Sequence, residues 1–216
     1  MKYMFPVVVL LLFSSLENVR SGGGNSVLEE EEFLKGFMAK RAAMLSVIRG
    51  LTEMDEVKRG VTLGSLLESM HKVLRESKAN LEGAQSIEGL LRDNPRAKEY
   101  LALILENTCF FSDILLRFPD YTSSALSAQV ELNGLYRWSL NYISSSGSFP
   151  GSLINEPTKK LLHLAGQELS VGERDPDYVN PYKKAKTPLK RFEDPPVLPK
   201  KTKKKSKRGP KLRVEL

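Results

Sequence analysis

Few of this chain's residues have the types and spacing that chemistry requires. His71 and His163 are the only histidines; neither belongs to a His-x-x-x-His or similar ligand pair, and each sits one residue off an apolar stripe. They read as structural side chains. The carboxylate run Glu29 to Glu32 lies where a helix would begin, and there the helix dipole favours negative charge without any metal. Ser144 to Ser148 contains no Gly-x-Ser-x-Gly elbow, and no glycine-rich loop follows a strand. Cys109 stands alone between Thr108 and Phe110 on an apolar face, and reads as a buried thiol behaving as a small hydrophobe. The chain therefore reads as a non-enzyme, with no catalytic, metal-binding or cofactor-binding residue assigned and no cofactor expected.

The strongest local signals are at the two ends. Lys200, Lys201, Lys203, Lys204, Lys205, Lys207 and Arg208 form a basic run that, in isolation, suits a nuclear address or non-specific phosphate contact. No aromatic residues interleave it, so base stacking is not supported and a nucleic-acid partner is not favoured. A solvated tail that meets acidic partners is the alternative. The last four residues, Arg213, Val214, Glu215 and Leu216, end in Glu-Leu, as the Lys-Asp-Glu-Leu retention address does. Val214 departs from that pattern, which implies partial retention by the retrieval receptor.

The amino terminus supplies the compartment that such an address needs. Lys2 precedes the apolar run Phe5 to Phe13, and Val19 with Ser21 suits cleavage before Gly22. Residues 1–21 thus read as a signal peptide; the run is too short for a membrane span, which needs about 20 apolar residues. The expected location is the endoplasmic reticulum lumen, the exterior, or both. No Asn-x-Ser/Thr sequon occurs.

Helices must position whatever the folded part does. Of the 216 residues, 41% are hydrophobic and 27% charged, the balance of a soluble globular domain. The net charge of +7 is uneven: from Asn180 onward there are 14 lysines and arginines against three carboxylates, a net +11, which leaves −4 for the rest. Apolar residues recur at helical spacing in Phe33, Phe37, Met44, Ile48 and Leu51, predicting a helix near 27–58 that Gly60 breaks. A second stripe runs from Leu63 to Leu81, with Ser65-Leu66-Leu67-Glu68 as a capping box, and the short connection suggests that the two helices pair. A third helix starts at Asn94 and Pro95 and ends at Phe118-Pro119, and a fourth spans about 123–144. A short one begins at Pro157. Phe111 and Trp138 both fall on apolar stripes and are expected as core anchors.

The predicted fold is all-α: a bundle of about four long helices plus short ones over 22–171, followed over 172–216 by a Pro/Lys-rich, extended and disordered basic tail. Tyr178, Val179, Pro181 and Tyr182 provide aromatic and apolar groups that could fold back on the bundle.

One segment carries a resemblance. Glu106, Asn107, Phe110, Phe111 and Asp113, followed by Arg117, Phe118 and Pro119, resemble the ENTxFFxD…LRFP segment of the coiled-coil domain-containing protein 134 family. Arg137-Trp138, Gln167-Glu168-Leu169 and Asn180-Pro181-Tyr182-Lys183 add to the likeness, whose divergence is that of an invertebrate member. The resemblance implies a non-catalytic, lumenal or secreted helical protein. It implies an adaptor or chaperone cofactor that assists endoplasmin biogenesis and limits its N-glycosylation at the translocon and oligosaccharyltransferase machinery. It also implies restraint of mitogen-activated kinase signalling. A secreted, cytokine-like ligand and a nuclear protein using the basic tail are the alternative readings. The stripes are too short and interrupted for an extended coiled coil.

Overall fold

The computed structural model describes residues 26–81, 96–145 and 154–183. Among these residues there are six helices and no strand: α1 Ser26–Glu53, α2 Glu56–Leu81, α3 Ala97–Arg117, α4 Pro119–Ala128, α5 Val130–Ser144 and α6 Glu156–Leu169. The all-α bundle expected from the periodicity is therefore present. None of these helices is long and apolar enough to cross a membrane. Residues 1–21, the Asn94-Pro95 start of the third helix, the basic run 200–208 and the terminal four residues lie outside the described residues.

The break between the first two helices falls at Met54-Asp55, and not at Gly60. Asp55 restarts the chain as a helix because its Oδ1 accepts from the Lys58 amide at 3.0 Å while its carbonyl accepts from the Arg59 amide at 2.9 Å. The Lys58 amide is also the main cause holding the Asp55 carboxyl below its usual range. Arg59 turns back and donates to the Met54 carbonyl at 3.3 Å. Gly60 sits inside α2, and so does Ser65, whose hydroxyl bonds the Val61 carbonyl at 3.3 Å instead of capping.

α3 is the axis of the bundle. Each of the other five helices packs on it, and nearly every residue from Leu101 to Leu116 is buried. A helix apolar or internally satisfied on all sides is a core helix, unlike the one-sided helices around it. Its small polar residues reduce the cost of burial by bonding one turn back: Asn107 Nδ2 to Leu103 O at 2.8 Å, Thr108 Oγ1 to Ile104 O at 2.6 Å and Ser112 Oγ to Thr108 O at 2.7 Å, although Asn107 Oδ1 stays buried without a partner. The expected pairing of α1 with α2 gives way to separate packing of both on α3. α2 runs antiparallel to α3, since its first turn lies beside the end of α3 with the Arg59 guanidinium 5.8 Å from the Phe118 ring centre.

Pro119 ends α3 as expected and opens α4 at a first-turn position. The single fourth helix expected over 123–144 is two, parted at Gln129, which adopts an extended conformation (φ −124°, ψ 86°). α6 begins close to the predicted Pro157, which occupies its first turn, and Asn155 supplies a cap that was not predicted, its Oδ1 accepting from the Thr158 amide at 3.0 Å. It ends with Ser170 in the left-handed region (φ 53°) and Gly172 at φ 77°. Beyond Gly172, where the composition changes, the described chain continues to Lys183 as a strap without regular structure.

Candidate functional site

Glu106 and Asp113 are two turns apart on α3, which puts both carboxylates on one face, toward α1. Both side chains are almost wholly buried, so each needs a charged partner. Lys40 Nζ of α1 lies 2.9 Å from Glu106 Oε2, and Arg41 Nη1 lies 2.5 Å from Asp113 Oδ2. Asp113 is shared: its Oδ1 meets Arg117 Nη1, one turn on, at 2.5 Å. Arg117 in turn lies under Tyr182 of the strap, 4.2 Å from the ring centre. A continuous polar line thus runs from α1 through α3 to the strap.

Electrostatics distinguish the two acids. Burial pushes the Glu106 carboxyl up, and the Lys40 ammonium only partly opposes this. Asp113 instead has two guanidinium partners. Between them on the same helix, the Cys109 thiol is pushed up to about 12, chiefly by burial; Arg41 pulls it down while Asp113 and Glu106 add to the rise. It is buried and unpaired with any other cysteine. A thiol so rarely ionised is a poor nucleophile, which fits its reading as a small hydrophobe.

The remaining segment residues fill the core. Phe110 and Phe111 are buried, and the Phe111 ring stacks on Tyr136 of α5 with centres 3.4 Å apart. Burial raises the Tyr136 phenol well above its usual range, and its hydroxyl has no hydrogen-bond partner. Phe118 and Pro119 are half-buried at the α3–α4 junction. Trp138 departs from its expected role: it is half-buried at the rim of the bundle, stacked on Tyr142 at 5.1 Å with the Lys78 ammonium 5.2 Å from its ring. His163 is exposed, and His71 Nε2 lies 3.5 Å from a Glu131 carboxylate oxygen without a hydrogen bond. Among the described residues no group of acids, histidines and cysteine could hold a metal ion.

Sequence reasoning overlooked Lys40 and Arg41, although they left a trace. They occupy the positions three and four residues after Phe37 and four and three before Met44, where the α1 stripe calls for apolar residues. A charged pair on an apolar face signals buried carboxylates opposite.

The strap is placed by side chains of the bundle. Gln167 of α6 uses both ends of its amide, donating to the Glu173 carbonyl at 3.0 Å and accepting from the Asp175 amide at 2.8 Å. The Tyr178 hydroxyl donates to the Leu164 carbonyl at 3.2 Å, and Asn180, the one buried strap residue, donates to the Leu116 carbonyl at 3.0 Å.

These features define an all-α bundle whose central helix is fixed to its neighbours by a sealed ion cluster and whose end is covered by a side-chain-held strap. The chain belongs to the family described as "ERK and JNK pathways, inhibitor", whose model matches residues 20–213. It is 31% identical over 156 residues to coiled-coil domain-containing protein 134 of Xenopus tropicalis, covering 71% of this chain and 66% of that protein. Against the Mus musculus protein of the same name it is 28% identical over 165 residues, covering 76% and 70% respectively. The chain thus aligns with about two thirds of each relative's length. No solved structure matches it. The family match takes in α1 and α2 as well as the segment from α3 onward that carried the resemblance.

Proposed function

We propose that this protein is a non-catalytic, protein-binding adaptor of the secretory pathway, acting in the endoplasmic reticulum lumen, whose presence lowers output of the ERK and JNK pathways. The observation that carries this reading is the burial of Glu106 and Asp113 in ion pairs with Lys40 and Arg41. The most recognisable segment of the chain serves as scaffold, and its charged groups engage one another instead of a substrate. Recognition then falls to the outer helix faces and the ends of the chain. The family description supports pathway restraint, and the apolar leader with the Glu-Leu terminus supports the compartment. By family resemblance the partners are endoplasmin and the translocon-associated glycosylation machinery, with the retrieval receptor reading Glu215-Leu216.

The test is rescue of cells lacking the protein, with the full chain or a form lacking residues 1–21. ERK and JNK phosphorylation and the glycosylation state of endoplasmin are followed, together with lumenal proximity labelling. Rescue by the full chain alone, with endoplasmin among the labelled proteins, is the expected result. Rescue by the leaderless form would transfer the activity to the nucleus or cytosol. Rescue by conditioned medium would make the protein a secreted ligand.

A further inference from the structure

We propose that residues 172–183 are a latch that opens and closes on the bundle as a unit separate from global unfolding, with Asn180 as its catch and Ser170–Gly172 as its hinge. This inference is independent of the functional reading above.

The reason for the catch lies in the α3–α4 junction. Pro119 has no N–H, and the chain leaves the helical path at Phe118 (φ −127°, ψ 53°), so the last carbonyls of α3 lack the amides that a continuing helix would supply. The Phe118 amide satisfies Ile114 at 2.8 Å, but Leu116 is met from 64 residues away by the Asn180 side chain. Asn180 Oδ1 also accepts from the Tyr182 amide at 2.9 Å, which sets the Tyr182 ring over Arg117. Closing the strap therefore completes the cap of the central helix.

The strap has little else to hold it. Of residues 172–183 all but Tyr178 and Asn180 are exposed, Val179 at 77% and Tyr182 at 43%. Apolar burial, the main source of cooperative stability, is nearly absent there. Attachment rests on a few side-chain hydrogen bonds and one ring contact, and such elements belong to the low-stability end of a fold. The hinge favours movement: Ser170 holds a left-handed conformation that is strained for a residue other than glycine, and Gly172 has its own positive φ.

Opening has two consequences. Arg117 loses its Tyr182 cover and is left to Asp113. The twelve residues 172–183 themselves come free of the bundle, a contour of up to about 40 Å from Gly172.

Residue-resolved native-state hydrogen exchange on the full chain tests this. The Asp175 and Tyr178 amides, bonded to Gln167 Oε1 and the Asp175 carbonyl, report the latch, and the α3 amides report global unfolding. The latch amides should exchange faster than those of α3 and with little denaturant dependence. Asn180→Ala should accelerate them roughly tenfold or more; the α3 amides, which exchange through an unfolded state that has also lost the Asn180 bond, should accelerate by no more than this and keep their larger denaturant dependence. Tyr182→Ala, which alters an exposed ring, should act in the same direction. Exchange of both sets at one rate with one denaturant dependence, in the native chain or in Asn180→Ala, would overturn the proposal. Unchanged latch exchange in both variants would also overturn it.

Discussion

Arg41 of α1 reaches Asp113 of α3, 72 residues further along the chain, and the two close an ion pair from which water is almost excluded. Such a pair does little for net stability because desolvation offsets attraction, but it fixes how α1 sits on α3. Removing one partner leaves a buried charge exposed to no compensation. Asp113→Asn, which strands Arg41 and Arg117 together, should cost about 3–5 kcal/mol in chemical denaturation. The double variant Arg41→Met with Asp113→Leu should lose less than the sum of the single changes. Additive losses would show that the pair is not coupled.

Glu106 should behave in the opposite way. Its carboxyl is raised in the folded state, so the proton is held more tightly there than in the unfolded chain. That stabilising contribution is fully present below the unfolded value of about 4.3 and is lost as pH rises through the folded value. Glu106→Gln, a neutral isostere, should be at least as stable as the native chain at pH 7. The two should converge at acidic pH. A variant clearly weaker at pH 7 would mean that the Lys40 pair outweighs burial.

Gly60 tests the placement of the helix break. Within α2 it lowers helix propensity, and an added Cβ would lie 3.9 Å from Tyr121 Cε2, an ordinary contact. Gly60→Ala should therefore stabilise by about 0.5–1 kcal/mol. At Gly64 the added carbon would lie 3.2 Å from the Tyr121 hydroxyl, so Gly64→Ala should give less. A fall in melting temperature for Gly60→Ala would place the break where the glycine is.

Phe111 and Trp138 should separate in thermal denaturation. Phe111 is buried against Tyr136, and Phe111→Ala should cost about 3–5 kcal/mol. Trp138 is at the rim, and its truncation should cost clearly less. Equal losses would show that the rim aromatics carry as much of the fold as the interior ones.

The carboxyl terminus offers a test of location. Appending one glycine after Leu216 moves the carboxylate out of the retention-like epitope, and secretion at native expression should rise several-fold with no change in the stability of the bundle. Identical partitioning with and without the glycine would remove the retention reading.

Helix existence was legible because periodic apolar residues dominate local preference, and the start of α6 could be placed nearly to the residue through Pro157, although its Asn155 cap was not read. Breaks were less legible. Met54-Asp55 and Gln129 carry neither glycine nor proline, while Gly60 looks like a breaker and lies inside α2. The α3 residues Glu106, Asn107 and Asp113 were noticed as a segment, yet their burial depends on Lys40 and Arg41 across the fold, which no local pattern reveals. The strap was legible only as aromatics able to pack back. Its catch is an asparagine whose partner is a backbone carbonyl, and backbone groups leave no mark in a sequence.

The central position of α3 also orders events in time. α1 and α2 are synthesised before the helix on which both pack, so neither can bury its stripe until the ribosome has passed Arg117. Between Glu53 and Arg117 lie 64 residues, roughly 3–13 s of synthesis at ordinary elongation rates. During that interval α1 presents Phe37, Met44 and Ile48 without a partner, alongside the unpaired cations Lys40 and Arg41. Newly made chains should thus engage holding chaperones most strongly after α1 has emerged and before α3 has, and release should coincide with the emergence of α3.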